Sequence, residues 1–207
     1  MEFRIRRFQK ADFDTLWRID QACFEPRLAY SRPEMAFYMH RPGAFTLVAE
    51  VSENGTPKLS LNNCGADTLV RANAGIVQDC PQKQPPPESS PKSPAESQSG
   101  GVAGPDRSPA ILGFIVAEVR HRTGHIITID VVGEARRSGV GSALLVAAED
   151  RLRDGGAETV ALETAVNNEP AIRFYKRKGY SVEKMLRGYY AHQLDALVMG
   201  KALVVSE

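Results

Sequence analysis

The chain has little cysteine and no pattern for pairing what it has. Cys23, Cys64 and Cys80 are an odd number without metal-ligand spacing, which argues against a disulfide framework and for free thiols. His40, His121, His125 and His192 lack metal-binding spacing as well, so no metal site is expected. No stretch approaches the roughly 20 apolar residues of a membrane-spanning helix. The opening MEFRIRRFQKADF also lacks the apolar centre of a signal peptide. These absences predict a cytoplasmic protein without a membrane partner. An excess of one charge is missing too: 26 basic against 25 acidic residues leave no bulk field to attract nucleic acid, and none is expected as a direct partner.

Aromatic residues are absent between Phe45 and Phe114, and eight of the 13 prolines fall between Pro81 and Pro109 among serines and glycines. Such a segment cannot bury enough surface to offset its ordering entropy. The expectation is one domain, residues 1–207, carrying a flexible insertion at about 53–110. The first part of that insertion, LSLNNCGADTLVRANAGIV, has short apolar runs compatible with an extra hairpin. The 43% apolar content is enough for one ordinary core around it.

Phe3 to Phe8 reads as a strand, and Ala11 to Phe24 as a helix with Phe13, Leu16, Trp17 and Ile19 on one face. Ser31 with Glu34 three residues on is a capping box, so a second short helix should start there, after an exposed loop over 25–30. FTLVAEV (Phe45 to Val51) and ILGFIVAEVR (Ile111 to Arg120) read as strands that the insertion joins as neighbours. A strand over Ile126 to Val132 precedes a helix opening near Val140 and stopping at Gly155 and Gly156. Thr159 to Val166 is the next strand. Asn168 then caps a helix with Pro170 in its first turn, ending at Gly179. Tyr180 to Met185 and Ala196 to Val205 close the chain as an antiparallel pair. The order predicts a mixed α/β fold.

Between the strand ending at Val132 and the next helix lies RRSGVGS, Arg136 to Ser142. Glycines allow close backbone approach, amides at a helix start point outward, and the helix dipole favours an anion, so this junction can hold a diphosphate. Leu144 stands where a dinucleotide fingerprint needs a small residue, and a Walker A ending is absent, so the ligand is a different phosphate compound.

IDVVGEARRSGVGSALL, LETAVNNEPAIRFYKRKGY and RGYYAHQLDALVM, in that order, resemble the GCN5-related N-acetyltransferases, most closely those of the RimI type that acetylate ribosomal-protein alanine. The resemblance covers most of the chain outside residues 53–110. It implies a GNAT fold: a mixed, mostly antiparallel central sheet, splayed in the middle and flanked by helices. It also implies acetyl-CoA as co-substrate. The diphosphate would lie on Arg136, Gly139 and Gly141, and the pantetheine arm would pair like an added strand with Ile129 to Val131, whose amide near Val131 would face the thioester oxygen. With Asp130, Arg137, Ser138, Val140 and Ser142, and with Asn168 from the last helix, these residues make up the implied cofactor site.

In RimI-type enzymes the glutamate of the LE motif is the base and the tyrosine of the AxxxY helix the acid. Here these are Glu163 and Tyr175, twelve positions apart as in the family pattern. Tyr189 and Tyr190 match a pair that related enzymes hold in a loop over the peptide, and Tyr30 joins them as a substrate contact. The acceptor implied is a protein N-terminal α-amine, for the RimI type that of a ribosomal protein, acetylated directly in a ternary complex. An α-amine with pKa near ~8 costs under ~1 kcal/mol to neutralise near pH 7.4, against ~4 for lysine. Two other readings remain open: the same chemistry on a small-molecule amine, and a non-catalytic acyl-CoA module whose Pro-rich segment recruits a partner. Gly133 where the family often has proline, Asp130 in place of a smaller or apolar residue, and the insertion itself depart from the pattern. The sequence sets no oligomeric state.

Overall fold

The computed structural model describes residues 2–26, 28–52, 70–71, 110–190 and 194–203. Strands β1 (Phe3–Arg7), β2 (Ala44–Val51), β3 (Val70–Arg71), β4 (Ile111–Arg120), β5 (Thr123–Val131), β6 (Thr159–Ala165), β7 (Ser181–Tyr190) and β8 (Leu194–Ala202) form one sheet. Helices α1 (Phe13–Cys23), α2 (Arg32–Met39), α3 (Val140–Asp154) and α4 (Glu169–Arg177) connect them. The order is β1-β2-β4-β5-β6-β8-β7, with β3 beside β5, and every pairing is antiparallel except β5 with β6. This is the mixed, mostly antiparallel architecture expected. No helix of the described residues is long and apolar enough to cross a membrane.

The local signals explain where these elements begin. Ser31 accepts a hydrogen bond from the Glu34 amide while the Glu34 carboxylate accepts one from Ser31, the reciprocal cap that starts α2. Asn168 accepts from the Ala171 amide and starts α4. The α1 face of Leu16, Ile19 and Cys23 and the α3 face of Leu144, Leu145, Ala148 and Leu152 are buried against Phe114, Ile115, Ile126 and Ile129 of the sheet. Val51 donates its amide to the carbonyl of Ala110, so the two ends of the insertion meet. A long connection there is tolerated because closure entropy grows only logarithmically with length. The insertion lies outside the described residues apart from Val70, Arg71 and Ala110, as does the expected hairpin apart from β3.

The feature that matters for function is where β5 leaves β6. The two pair only from Thr123 with Thr159 to Ile126 with Leu162. One residue further, β5 carries a bulge against β4: Ala117 faces Ile126 and Val116 faces Thr128, leaving Ile127 extra. A bulge bends its strand and adds local twist, which swings the remainder of β5 away from β6. Beyond it, Thr128 and Ile129 pair on that side with Arg71 and Val70 of β3.

Two strands are longer than their apolar patterns suggested. β5 starts at Thr123, not Ile126, because Thr123, Gly124 and His125 are paired with both β4 and β6. β7 continues past Met185 to Tyr190, although Ser181 to Met185 are exposed and show no alternation. Close backbone approach also restricts Gly113 on β4, where a Cβ would overlap the carbonyl oxygen of Asp130 on β5. Gly113→Ala should therefore lower the unfolding free energy by about 1–3 kcal/mol through overpacking, read as a reduced urea midpoint with an unchanged m-value.

Candidate active site

The glycine loop builds a cationic cradle from its backbone upward. Gly139, at the N-cap of α3, has φ of +94°, and nothing lies within 4 Å of where its Cβ would be. The left-handed backbone, not lack of room, demands glycine there. Arg137 also has positive φ, 60°. Arg136 donates from Nε to the Val131 carbonyl at 3.1 Å and reaches the Cys23 sulfur at 3.7 Å from Nη2, tying the loop to the end of β5. Ser138 closes the turn by donating to the Ala135 carbonyl at 2.6 Å.

Around this loop is a cavity of about 500 Å³ lined by Val131, Arg136, Arg137, Gly139, Gly141 and Ser142, with Pro170, Arg173, Phe174 and Arg177 of α4 opposite. Four arginines and no carboxylate line it, which together with the α3 dipole suits a strongly anionic group. The other expected cofactor residues are not on its wall. Ile129 and Val140 are core, Asp130 is buried and accepts from Thr128 Oγ1 at 3.2 Å, Ser138 is used in the turn, and Asn168 caps α4. Arg173 and Arg177 went unread in the sequence. Their i,i+4 spacing on a helix placed after the glycine loop was the available signal.

Glu163 sits one residue beyond the last β5–β6 pair, at the vertex of the opening. Its Oε2 lies 2.7 Å from His125 Nε2. The imidazole's other nitrogen, Nδ1, is 3.8 Å from Glu118 Oε1 on β4. Burial opposes charge on His125, but the two carboxylates outweigh it and raise its pKa to about 9. At neutral pH it is therefore an imidazolium held between two carboxylates. His125 carries no sequence signal because the apolar run that marks the strand begins one residue after it.

Tyr175 is fully buried, and its hydroxyl has no hydrogen-bond partner among the described residues. Burial, with Tyr180, Asp130 and Tyr190 nearby, raises its pKa well above that of an ordinary phenol. It stays protonated, a donor awaiting an acceptor, and an unpaired buried hydroxyl is costly unless a ligand completes it. Tyr175 packs in the main core with Leu162, whereas Glu163 faces the same way as Ala165, in a smaller cluster with Tyr189 and Tyr190. The structure does not bring Glu163 and Tyr175 into contact.

The three expected substrate contacts are all buried. Tyr189 and Tyr190 end strand β7 rather than sitting in a loop. Their rings meet edge to face, Leu28 packs against them, and the Tyr190 hydroxyl donates to the Glu163 carbonyl at 3.4 Å. Tyr30 is pinned by its backbone: its amide donates to Asp20 at 2.8 Å and its carbonyl accepts from Trp17 and Gln21. Its ring tilts against Tyr38, so it shapes the loop more than it lines an opening.

The chain is similar to an N-alpha-acetyltransferase of Sulfurisphaera tokodaii, 42% identical over 83 residues, 40% of this chain and 50% of that protein. It thus spans about half the length of the curated relative it matches. Its fold is similar to the crystal structure of Ard1 from Thermoplasma volcanium, with a TM-score of 0.66 and 22% identity over 99% of this chain and 100% of that one. It is also similar to the ribosomal-protein-S18-alanine N-acetyltransferase from Escherichia coli, with a TM-score of 0.64 and 17% identity, covering 100% and 97%. The model of the acetyltransferase (GNAT) family matches residues 76–180, half of the chain, and the chain belongs to that family.

Proposed function

We propose that the protein transfers an acetyl group from acetyl-CoA to the α-amine of a protein N-terminus. The observation that carries this reading is the Glu163–His125 pair at the vertex of the β5–β6 splay, in a fold whose α3 start bears an arginine-lined cavity. Acetyl-CoA supplies an activated carbonyl and a thiolate leaving group. Arg137, Arg173, Arg177 and the α3 amides hold its diphosphate end. The unpaired Tyr175 hydroxyl supports the fit, because a departing thiolate would give it the acceptor it lacks.

Transfer is direct, within one ternary complex. His125 holds Oε2 of Glu163 and leaves the other carboxylate oxygen to take a proton from the amine, directly or through one water. Tyr175 donates its proton on the opposite side. The pinned loop ending at Tyr30 and the cluster of Leu28, Tyr189 and Tyr190 supply a rigid, aromatic approach suited to the first residues of a peptide. An α-amine matches a single carboxylate base better than lysine does, because less free energy is needed to neutralise it. The similarity to an archaeal protein named N-alpha-acetyltransferase supports an N-terminal acceptor. A RimI-type, ribosomal-protein acceptor and a cytoplasmic location belong to the same proposal. Comparing N-terminal peptides from cells with and without the protein identifies the acceptor. Loss of one ribosomal protein's acetyl mark alone would favour the RimI type.

Glu163→Gln should lower kcat on N-terminal peptides by about 10²–10⁴-fold while leaving the KM for acetyl-CoA unchanged. Undiminished turnover would remove Glu163 as the base. Because the His125 pKa is raised, its charge and its hold on Glu163 persist below about pH 9 and are lost above it. For a peptide amine, kcat/KM should rise as the amine deprotonates near ~8 and fall as His125 does near 9, a bell read by initial rates. A pantetheine arm laid along β5 competes with β3 for the Ile129 edge. Val70→Pro, which removes an amide from β3, should therefore lower the KM for acetyl-CoA by about 2- to 10-fold, measured by thiol release.

A further inference from the structure

The Glu163–His125 pair has a third member on the adjoining strand. Glu118 of β4 stands directly opposite His125 in the β4–β5 register, and it is 1% exposed. Its carboxylate meets Arg120 Nε at 3.1 Å, Arg41 Nε at 3.3 Å and His125 Nδ1 at 3.8 Å. The charged groups around the imidazole are thus Glu118 and Arg120 on β4, Glu163 on β6, and Arg41 from the segment joining α2 to β2. Two arginines alone would neutralise Glu118. Its position across from His125 does something more, since directly opposed residues of an antiparallel pair are the closest side chains two strands can offer each other.

The partner on one nitrogen of a histidine decides what the other nitrogen does. We propose that Glu118 is a positioning residue for the proton transfer at Glu163: its negative charge, 3.8 Å from the far nitrogen of His125, keeps the imidazole cationic with both nitrogens protonated, so that the near one donates to Oε2 of Glu163. This rests on the acetyltransferase reading. It adds a residue that touches neither the amine nor the thioester and acts only through the imidazole. A carboxylate serving the arginines alone would stabilise the fold but leave the titration of His125 unmoved.

The test replaces Glu118 by Gln, which keeps the shape and removes the charge. His125 is followed by NMR of its imidazole in labelled full-length protein, with His125→Gln assigning the signal, and kcat/KM on an N-terminal peptide is measured against pH. The His125 titration is expected to fall by about one pH unit or more, and the basic limb of the rate profile to move down with it. In a His125→Gln background, Glu118→Gln should add no further loss. The proposal is overturned if the titration stays put, if it moves without the limb, or if Glu118→Gln costs the same in both backgrounds. Should Glu118→Gln fail to fold, Arg120→Gln serves with the opposite sign. Removing that cation should raise both titration and limb, and no movement overturns the proposal equally. Absence of wild-type turnover with any amine would sink the acetyltransferase reading, while the imidazole titration would still report whether Glu118 is coupled to His125.

Discussion

The parting of β5 from β6 is the constraint around which this molecule is organised. Parallel strands keep pairing as long as their twist matches, and here the match ends after Ile126 and Leu162 because Ile127 is bulged out against β4. The opening gives backbone groups of β5 an edge that β6 does not use. It also places Glu163 at a vertex instead of in the middle of a ladder. Val70 and Arg71 pair along that same edge, so the chain itself supplies main-chain partners for groups that would otherwise be unsatisfied.

Charge in the fold is concentrated where backbone geometry holds it. Four arginines line the cavity at the start of α3: Arg136, Arg137, Arg177 and Arg173, the last also paired with the exposed Glu169 on its own helix. At the vertex, two carboxylates enclose one histidine. Elsewhere, ion pairs are structural. Arg6 bridges Asp12 and Glu50, fixing β1 to β2 and to the turn before α1, and Glu149 takes Tyr180 and Lys201. The Asp12 carboxyl is held below its usual range by that arrangement: burial opposes the shift, but Arg6 and the Gln9 amide outweigh it. The difference between the groups is what each could still bind. The structural carboxylates have their partners, whereas the cavity arginines lie beside the start of α3.

Much of the fold was legible because its signals are local. The Ser31–Glu34 box, the Asn168 cap, the stops at Gly155 and Gly179, and the glycine loop before Val140 each depend on residues a few positions apart, and each element begins or ends near where those residues stand. β2 and β4 were recognisable as neighbours across the insertion because both are apolar and β-branched. The ends of β5 and β7 were less legible. Thr123 to His125 carry little strand signal, and it is pairing with β4 and β6 that makes them strand, while Arg187 and Gly188 lie in an irregularity between the Leu186 and Tyr190 pairings with β8, where the Gly188 amide donates to the Asp195 side chain.

Residue types and spacings thus specified the order of elements and the glycine loop before α3, since helix caps, turns and motif spacing are short-range properties, and the resemblance to a family marked Glu163 and Tyr175 as candidates. The roles of individual side chains depended on contacts between residues far apart in the chain. Arg136 points back to Val131 and Cys23, and Tyr30 is held by Asp20, Trp17 and Gln21. His125 becomes charged because Glu118 and Glu163 arrive from two other strands. A proton's residence is set by the electrostatic surroundings in three dimensions, and no window of sequence contains them.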